Sequence, residues 1–324
     1  MPTNSSHVVS RPRAGRALFG LLALVIAGSL TLGACGSKDS AKVGSKSAGL
    51  DAISVTGDFG ADPKVEFSGE LSVTETTEKV LVEGDGDEVK TGDKVLTQIV
   101  LANGFSKQVL FDSYQSQAQL IPVDDTLAKG LLAALEGRTL GSRVMVAAPP
   151  KDAYGENGNP QLGIGNNDTV IYIVDLIDKV RTVEGTEKKL PAGMPKLVKD
   201  ASGVITGWNF AGAAKPDNKL HVYPLIEGDG AAISAKSTVV TRYLGEVYGG
   251  KKPFDGNYSA AEPATFPIAG LVKGWQQGLD GVKSGSRVVI VVPPALGYGE
   301  AGNPGAGIKG TDTLYFVLDV LAVG

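Results

Sequence analysis

Apolar residues in this chain are grouped in short runs, and most of these runs are continuous or alternate with polar residues. Such runs are typical of β-strands with at least one buried face, and they cover residues 95–101, 144–148, 170–176, 239–244, 288–292 and 314–321. Helical spacing of apolar residues occurs in only two short segments, one at Leu127, Leu131, Leu132 and Leu135 and the other at Leu271, Val272, Trp275 and Leu279. Few helices and several non-local strands predict an α+β fold in which an antiparallel sheet wraps over one short helix.

The same pattern occurs twice. Glu83-Gly84-Asp85-Gly86 recurs 144 residues later, beginning at Glu227, and Gly141-Ser142-Arg143, Pro149-Pro150 and Tyr154-Gly155-Glu156 recur at that offset. From 127 to 176 the match has no gap, and 22 of 50 positions are identical to their partners. A period of this length is that of a domain, so the sequence predicts two tandem copies of one domain. We place the first at 51–180 and the second at 181–324; the segments 52–82 and 191–225 are extra, and we expect them to add edge strands.

Aromatic and aliphatic residues converge in the second copy. Phe254-Asp255 precedes a short helical segment with Trp275, the strand at 288–292 ends at Pro293-Pro294, and Tyr298 follows between two glycines. Proline cannot donate to a strand ladder, so the strand ends there. No nucleophile–base pair accompanies these residues, which are those of an apolar groove with a few polar groups.

The order and spacing of these motifs, from about Glu227 to Val323, resemble the FKBP-type peptidyl-prolyl isomerase family. The resemblance implies a pocket for a proline ring lined by Tyr243, Phe254, Asp255, Leu271, Val272, Trp275, Tyr298 and Phe316, with Phe266 and the flanking-loop residue Ile308 also contacting substrate. Trp275 would form the floor, Tyr298 would donate a hydrogen bond to the carbonyl before proline, and Asp255 would orient the pocket. Pro263-Ala264-Thr265-Phe266 has one aromatic residue where many relatives have two, so Ala264 would leave a thinner wall.

The first copy differs at this pocket. Ile99 stands in the place of Tyr243, Leu131 in that of Trp275 and Tyr172 in that of Phe316, whereas Phe111-Asp112 and Tyr154 are retained. The candidate second site is therefore Phe111, Asp112, Leu131, Tyr154 and Tyr172. We expect a weak isomerase or a binding domain here.

The N-terminus has the features of an export signal. Arg11, Arg13 and Arg16 precede an apolar run at 17–30, and Leu-Gly-Ala comes directly before Cys35. Residues 1–34 are predicted to be a signal peptide, Cys35 a lipid-attachment site resembling a bacterial lipobox, and residues 35–50 a flexible tether. An ordinary cleaved signal that leaves a free thiol is the alternative; since Cys35 is the only cysteine, no intramolecular disulfide can form.

Composition narrows the function further. The formal charge is −4, and it becomes −7 when the three signal-peptide arginines are removed, so nucleic acid is not an expected partner. With His7 in the signal and His221 in a strand, neither a His-based triad nor a metal site is expected, and no cofactor is predicted. The expected activity is prolyl isomerisation of exported, proline-containing polypeptides at the outer side of a membrane, with macrolide immunosuppressants as inhibitors implied by the resemblance. A tethered chaperone that holds extended chains without catalysis is the alternative.

Overall fold

The computed structural model describes residues 49–324. Within that range the chain divides into two compact units, between Ile177 and Asp178. The predicted signal peptide, Cys35 and the tether up to residue 48 lie outside the described residues.

The first domain is a six-stranded antiparallel sheet with one short helix. Its elements are β1 (Ile53–Thr56), β2 (Lys64–Phe67), β3 (Thr77–Val82), β4 (Lys94–Asn103), β5 (Val109–Asp112), β6 (Gln119–Pro122), α1 (Lys129–Leu135), β7 (Arg143–Ala148) and β8 (Val170–Lys179). The strand order is β3-β7-β8-β4-β5, and β6 also pairs with β4.

The second domain repeats this arrangement. Its elements are β9 (Lys196–Lys199), β10 (Ile205–Asn209), β11 (His221–Ile226), β12 (Thr238–Val247), β13 (Asp255–Gly256), β14 (Ala264–Pro267), α2 (Lys273–Gly278), β15 (Arg287–Val292) and β16 (Leu314–Val323). The order is β11-β15-β16-β12-β13, with β14 on β12. The predicted α+β class, with one helix and one antiparallel sheet per domain, is confirmed.

Both faces of each sheet are covered, which explains why the central strands are continuous apolar runs. In β7, Val144 and Val146 face the cluster that includes α1, whereas Met145 and Ala147 face a second cluster on the other side. That second cluster contains Ile53 and is packed against by the β1–β2 hairpin. In the second domain the β9–β10 hairpin supplies Ile205 and Trp208 to the corresponding cluster.

The extra segments therefore have two structural roles. The edge strands expected in them are present as β3 and β11, which form one edge of each six-stranded sheet. The two hairpins, β1–β2 and β9–β10, could not be placed from the sequence. Each packs on the face of its sheet that lies opposite the helix. Both helices are also shorter than the segments predicted from apolar spacing. Leu127 lies before the first residue of α1, and Leu271 and Val272 lie before that of α2.

A buried ion pair is repeated in the two domains. Arg143 Nε donates to Asp175 Oδ1 at 2.6 Å, and the hydroxyl of Tyr114 donates to Asp175 Oδ2 at 2.6 Å. The same guanidinium donates to the carbonyls of Gly57 and Ala61 at 2.9 and 2.8 Å, in the loop that joins β1 and β2. The ion pair thus fixes the covering hairpin to the sheet.

In the second domain the corresponding pair is Arg287 and Asp319, joined by two hydrogen bonds of 2.6 Å. Tyr258 lies beside it, where burial and the charge of Asp319 raise the pKa of its phenol. Among residues 49–324 no helix has the length and apolar character needed to cross a membrane.

Candidate functional site

The aromatic residues singled out in the second copy come together between α2 and the sheet. Trp275, on α2, is 2% exposed, and its ring meets those of Tyr243 and Phe316 edge-to-face, with centroids 5.5 and 5.2 Å away. Edge-to-face contacts at this separation are a favoured aromatic geometry. The floor and two walls of the predicted pocket therefore form one packed aromatic group.

A third aromatic wall depends on a glycine that the sequence reading did not identify. The rings of Phe254 and Phe316 are 5.7 Å apart at 87°. A Cβ on Gly245 would lie 2.6 Å from Phe254 Cζ and equally close to Phe316 Cε1, so only glycine permits this contact. The only signal for Gly245 in the sequence is a comparison of the two copies at the 144-residue offset, where the first domain has Leu101 in its place.

Asp255 is hydrogen-bonded on both oxygens. Its Oδ2 accepts from the hydroxyl of Tyr243 at 2.9 Å, and its Oδ1 accepts from the backbone N–H of Gly256 at 2.8 Å. Burial and the charge of Asp255 raise the pKa of Tyr243, so the phenol stays protonated and can donate. The arrangement suits a carboxylate that positions the tyrosine, the role expected for it.

The remaining expected residues surround this group. Leu271 and Ile308 are buried in the same hydrophobic cluster, and half-buried Val272, Phe266 and Tyr298 pack against it. Phe266 meets Tyr243 with ring centroids 5.8 Å apart, and Ala264 also contacts the cluster. Burial raises the pKa of the Tyr298 phenol, with Asp255 adding to the shift and a hydrogen bond with Asn303 opposing it.

One polar group of the pocket floor lacks a partner. The indole N–H of Trp275 is buried and has no hydrogen-bond acceptor among the described residues. Within residues 49–324 there is also no group of three or more His, Cys, Asp or Glu side chains placed to hold a metal ion.

The first domain brings Ile99, Leu131 and Tyr172 together in the equivalent cluster, and Phe111 and Tyr154 pack against it. Strand β5 pairs with β4 so that Phe111 is opposite Leu101 and Asp112 is opposite Val100. In the second domain Asp255 is opposite Gly245, and Gly256 is opposite Leu244.

The expected equivalence of Asp112 and Asp255 is therefore wrong. At the 144-residue offset Phe111 occupies the place of Asp255, and Asp112 lies on the sheet face of Val100, away from the pocket. A shift of one residue moves a side chain to the other face of a strand. Asp112 instead accepts from the backbone N–H of Tyr114 at 2.9 Å and caps a short turn of 3₁₀ helix.

Comparisons with known proteins agree with this architecture. The model of the family described as FKBP-type peptidyl-prolyl cis-trans isomerase matches twice, at residues 86–177 and 230–321. The FK506-binding protein of Streptomyces anulatus is 33% identical over 117 residues, which are 36% of this chain and 94% of that protein. The isomerase FkpA of Escherichia coli (strain K12) is 41% identical over 103 residues, which are 32% of this chain.

The matched region spans 37% of the length of FkpA. A crystal structure of Escherichia coli FkpA aligns with 34% of this chain and 50% of its own, at 35% identity and a TM-score of 0.31. The two matches to the family model together cover more than half of the chain. The chain belongs to the FKBP-type peptidyl-prolyl cis-trans isomerase family.

Proposed function

We propose that the chain is a peptidyl-prolyl cis-trans isomerase that assists the folding of exported proteins, and that its principal site is the pocket of the second domain. The observation that carries the proposal is the aromatic group of Trp275, Tyr243, Phe254 and Phe316, in a domain of this family, with Tyr298 at its edge.

The chemistry needs no covalent step. Rotation about an X–Pro bond is opposed by amide resonance, with a barrier of about 20 kcal/mol. The twisted amide is less polar than the planar one, so it loses less hydration on entering an apolar pocket. Transfer into the pocket therefore favours the transition state over the ground state, which is the condition for catalysis. A reduction of about 5–6 kcal/mol corresponds to roughly 10⁴-fold in rate.

Each pocket residue has a distinct part in this mechanism. The proline ring would rest on the indole of Trp275, between Tyr243, Phe254 and Phe316. Tyr298 would donate to the carbonyl of the residue before proline and hold the peptide in place. Asp255 would keep Tyr243 in position through their 2.9 Å hydrogen bond.

The location and partners proposed for the chain follow from its N-terminus. Basic residues, an apolar run and Leu-Gly-Ala before Cys35 support export and lipid attachment at that cysteine. Proline-containing polypeptides outside the cytoplasm would then be the substrates. Because the Streptomyces anulatus relative is named for binding FK506, a macrolide of that type is the inhibitor to test.

A protease-free kinetic assay with an X–Pro tetrapeptide tests the proposal. The full chain should accelerate cis–trans exchange, and the FK506-type macrolide should abolish the acceleration. No acceleration, together with suppressed aggregation of an unfolded protein, would instead support the chaperone without catalysis.

A further inference from the structure

Two tyrosine hydroxyls in the first domain are buried without a hydrogen-bond partner. They belong to Tyr154 and Tyr172, and no described residue accepts from or donates to either of them. Tyr172 as a whole is 1% exposed. Buried hydroxyls in proteins are nearly always hydrogen-bonded, and leaving one unpaired is costly, so this pair requires an explanation.

Both hydroxyls belong to the pocket side of the sheet. Tyr172 is opposite Val146 in the β7–β8 pair, as Phe316 is opposite Ile290 in the second domain. Tyr154 packs against the same cluster. Tyr172 is a member of that cluster, so both phenols line one pocket, and Tyr154 adds to the effect of burial in raising the pKa of Tyr172.

In the pocket of the second domain, both tyrosine hydroxyls have a hydrogen-bond partner. Tyr243 donates to Asp255, and Tyr298, the counterpart of Tyr154, is hydrogen-bonded to Asn303. Phe316 has no hydroxyl at the position of Tyr172. The first domain differs because neither hydroxyl of its pocket has a partner among the described residues.

An acceptor for them would come from a ligand. Phe111 occupies the place of the carboxylate, and Ile99 and Leu131 replace the other polar aromatic residues with aliphatic ones. A carbonyl oxygen has two lone pairs and can accept from two hydroxyls at once. Aliphatic surroundings and two neutral donors suit a peptide carbonyl next to an apolar side chain or ring.

We propose that the first domain binds an X–Pro segment of an unfolded polypeptide by donating both hydroxyls, from Tyr154 and Tyr172, to the carbonyl oxygen before proline, and that it holds this amide planar without isomerising it. The proposal rests on the isomerase function proposed above, because the first domain would bind the same kind of peptide without catalysis. Hydrogen bonds to an amide oxygen stabilise the charge-separated resonance form, which exists only in the planar amide. One such bond, as proposed for Tyr298, holds the peptide in the second domain. A second donor adds to the stabilisation of the planar ground state and offsets the advantage that apolar surroundings give the twisted state, so binding of this kind does not accelerate rotation.

The test uses the full chain carrying Trp275→Ala and Tyr298→Phe, so that the first domain is the remaining site. Two probes are compared by titration calorimetry: an Ala-Leu-Pro-Phe peptide, and its isostere in which a carbon–carbon double bond replaces the Leu–Pro amide. We expect the amide peptide to bind about tenfold more tightly than the isostere. Adding Tyr172→Phe should remove most of this difference and leave the affinity for the isostere within about twofold.

A matched reverse substitution is available in the second domain. Phe316→Tyr, in the otherwise unaltered chain, should slow isomerisation several-fold without weakening binding of the amide peptide. The proposal is overturned if neither probe binds the doubly substituted chain, or if Tyr172→Phe changes the affinity for both probes equally or for neither. Acceleration by the unaltered chain, measured separately, reports on the isomerase proposal, so failure of one idea is distinguishable from failure of the other.

Discussion

At the scale of single residues, Gly245 determines whether two phenyl rings of the pocket can meet. Gly245→Ala would place a methyl group 2.6 Å from atoms of both Phe254 and Phe316, so the rings must separate. We expect kcat/KM for an X–Pro peptide to fall at least tenfold, with the domain still folded. Gly270→Ala is the matched control, because its Cβ would meet only Pro267 Cγ, at 3.7 Å. Equal activity of the two variants would contradict the role given to Gly245.

Glu246 is a second residue at which a measurable effect is expected, here on the pH dependence of stability. It is 1% exposed and accepts from the backbone N–H of Trp208 at 3.0 Å, and burial raises its pKa above the ordinary value of 4.5. The folded state thus holds this proton more tightly than the unfolded chain. The stabilising contribution is complete below about pH 4.5 and is lost as pH rises through the raised pKa.

Glu246→Gln removes this titration. The unfolding midpoint of this variant in urea minus that of the unaltered chain should therefore increase between pH 4.5 and pH 7.5, because only the unaltered chain loses the contribution of Glu246. Tryptophan fluorescence is a selective measurement, because both tryptophans, Trp208 and Trp275, are in the second domain. A difference between the two proteins that is constant with pH would show that Glu246 does not titrate as described.

At the scale of elements, each covering hairpin depends on contacts with the sheet beneath it. In the first domain Arg143 is 1% exposed and holds the β1–β2 loop while paired with Asp175. Removing one partner of a buried pair leaves an uncompensated charge, which costs about 3–5 kcal/mol. Asp175→Asn should therefore lower the free energy of unfolding of the first domain by about this amount.

Asp319→Asn is the matched variant in the second domain. Its side-chain partner Arg287 is 17% exposed and also lies 3.5 Å from Glu187, so a smaller loss is expected. Circular dichroism follows both domains, and tryptophan fluorescence should be unchanged by Asp175→Asn. A larger loss of unfolding free energy from Asp319→Asn than from Asp175→Asn would contradict the expectation that breaking the more buried ion pair costs more.

At the scale of the whole molecule, the repeat allows the two pockets to be compared within one chain. Trp275→Ala with Tyr298→Phe should remove most isomerase activity, whereas Leu131→Ala with Tyr154→Phe should leave at least about nine-tenths of it. A tenfold difference between the sites needs only about 1.4 kcal/mol in transition-state free energy. Similar losses from the two pairs would mean that the aromatic residues do not set the activity.

Attachment to the membrane is also a property of the whole chain. If Cys35 carries lipid, the mature protein should sediment with membranes, and Cys35→Ala should release it or block its processing. Firm retention needs more than one acyl chain. Mass spectrometry of the membrane-bound protein provides the direct measurement, and an unmodified Cys35 would contradict the prediction.

Much of this protein could be read from the sequence, because the signals concerned are local or repeated. Successive side chains of the central strands face opposite sides of the sheet, and both sides are apolar. A short segment with apolar residues at helical spacing indicates one helix per domain. A constant offset of 144 residues identifies two copies of one fold without knowledge of the structure. The aromatic residues of the second pocket keep the order and spacing of a known family, so their convergence was predictable.

Three features were decided only by the tertiary structure. Asp112 follows a phenylalanine, as Asp255 does, yet the pairing of β4 and β5 turns it to the opposite face of the sheet. Gly245 matters because two rings from other parts of the chain meet over it. The pairing of Arg143 with Asp175 joins residues on neighbouring strands and fixes a third segment. Strand register and close approach depend on which distant residues become neighbours, and local spacing in the chain does not contain that information.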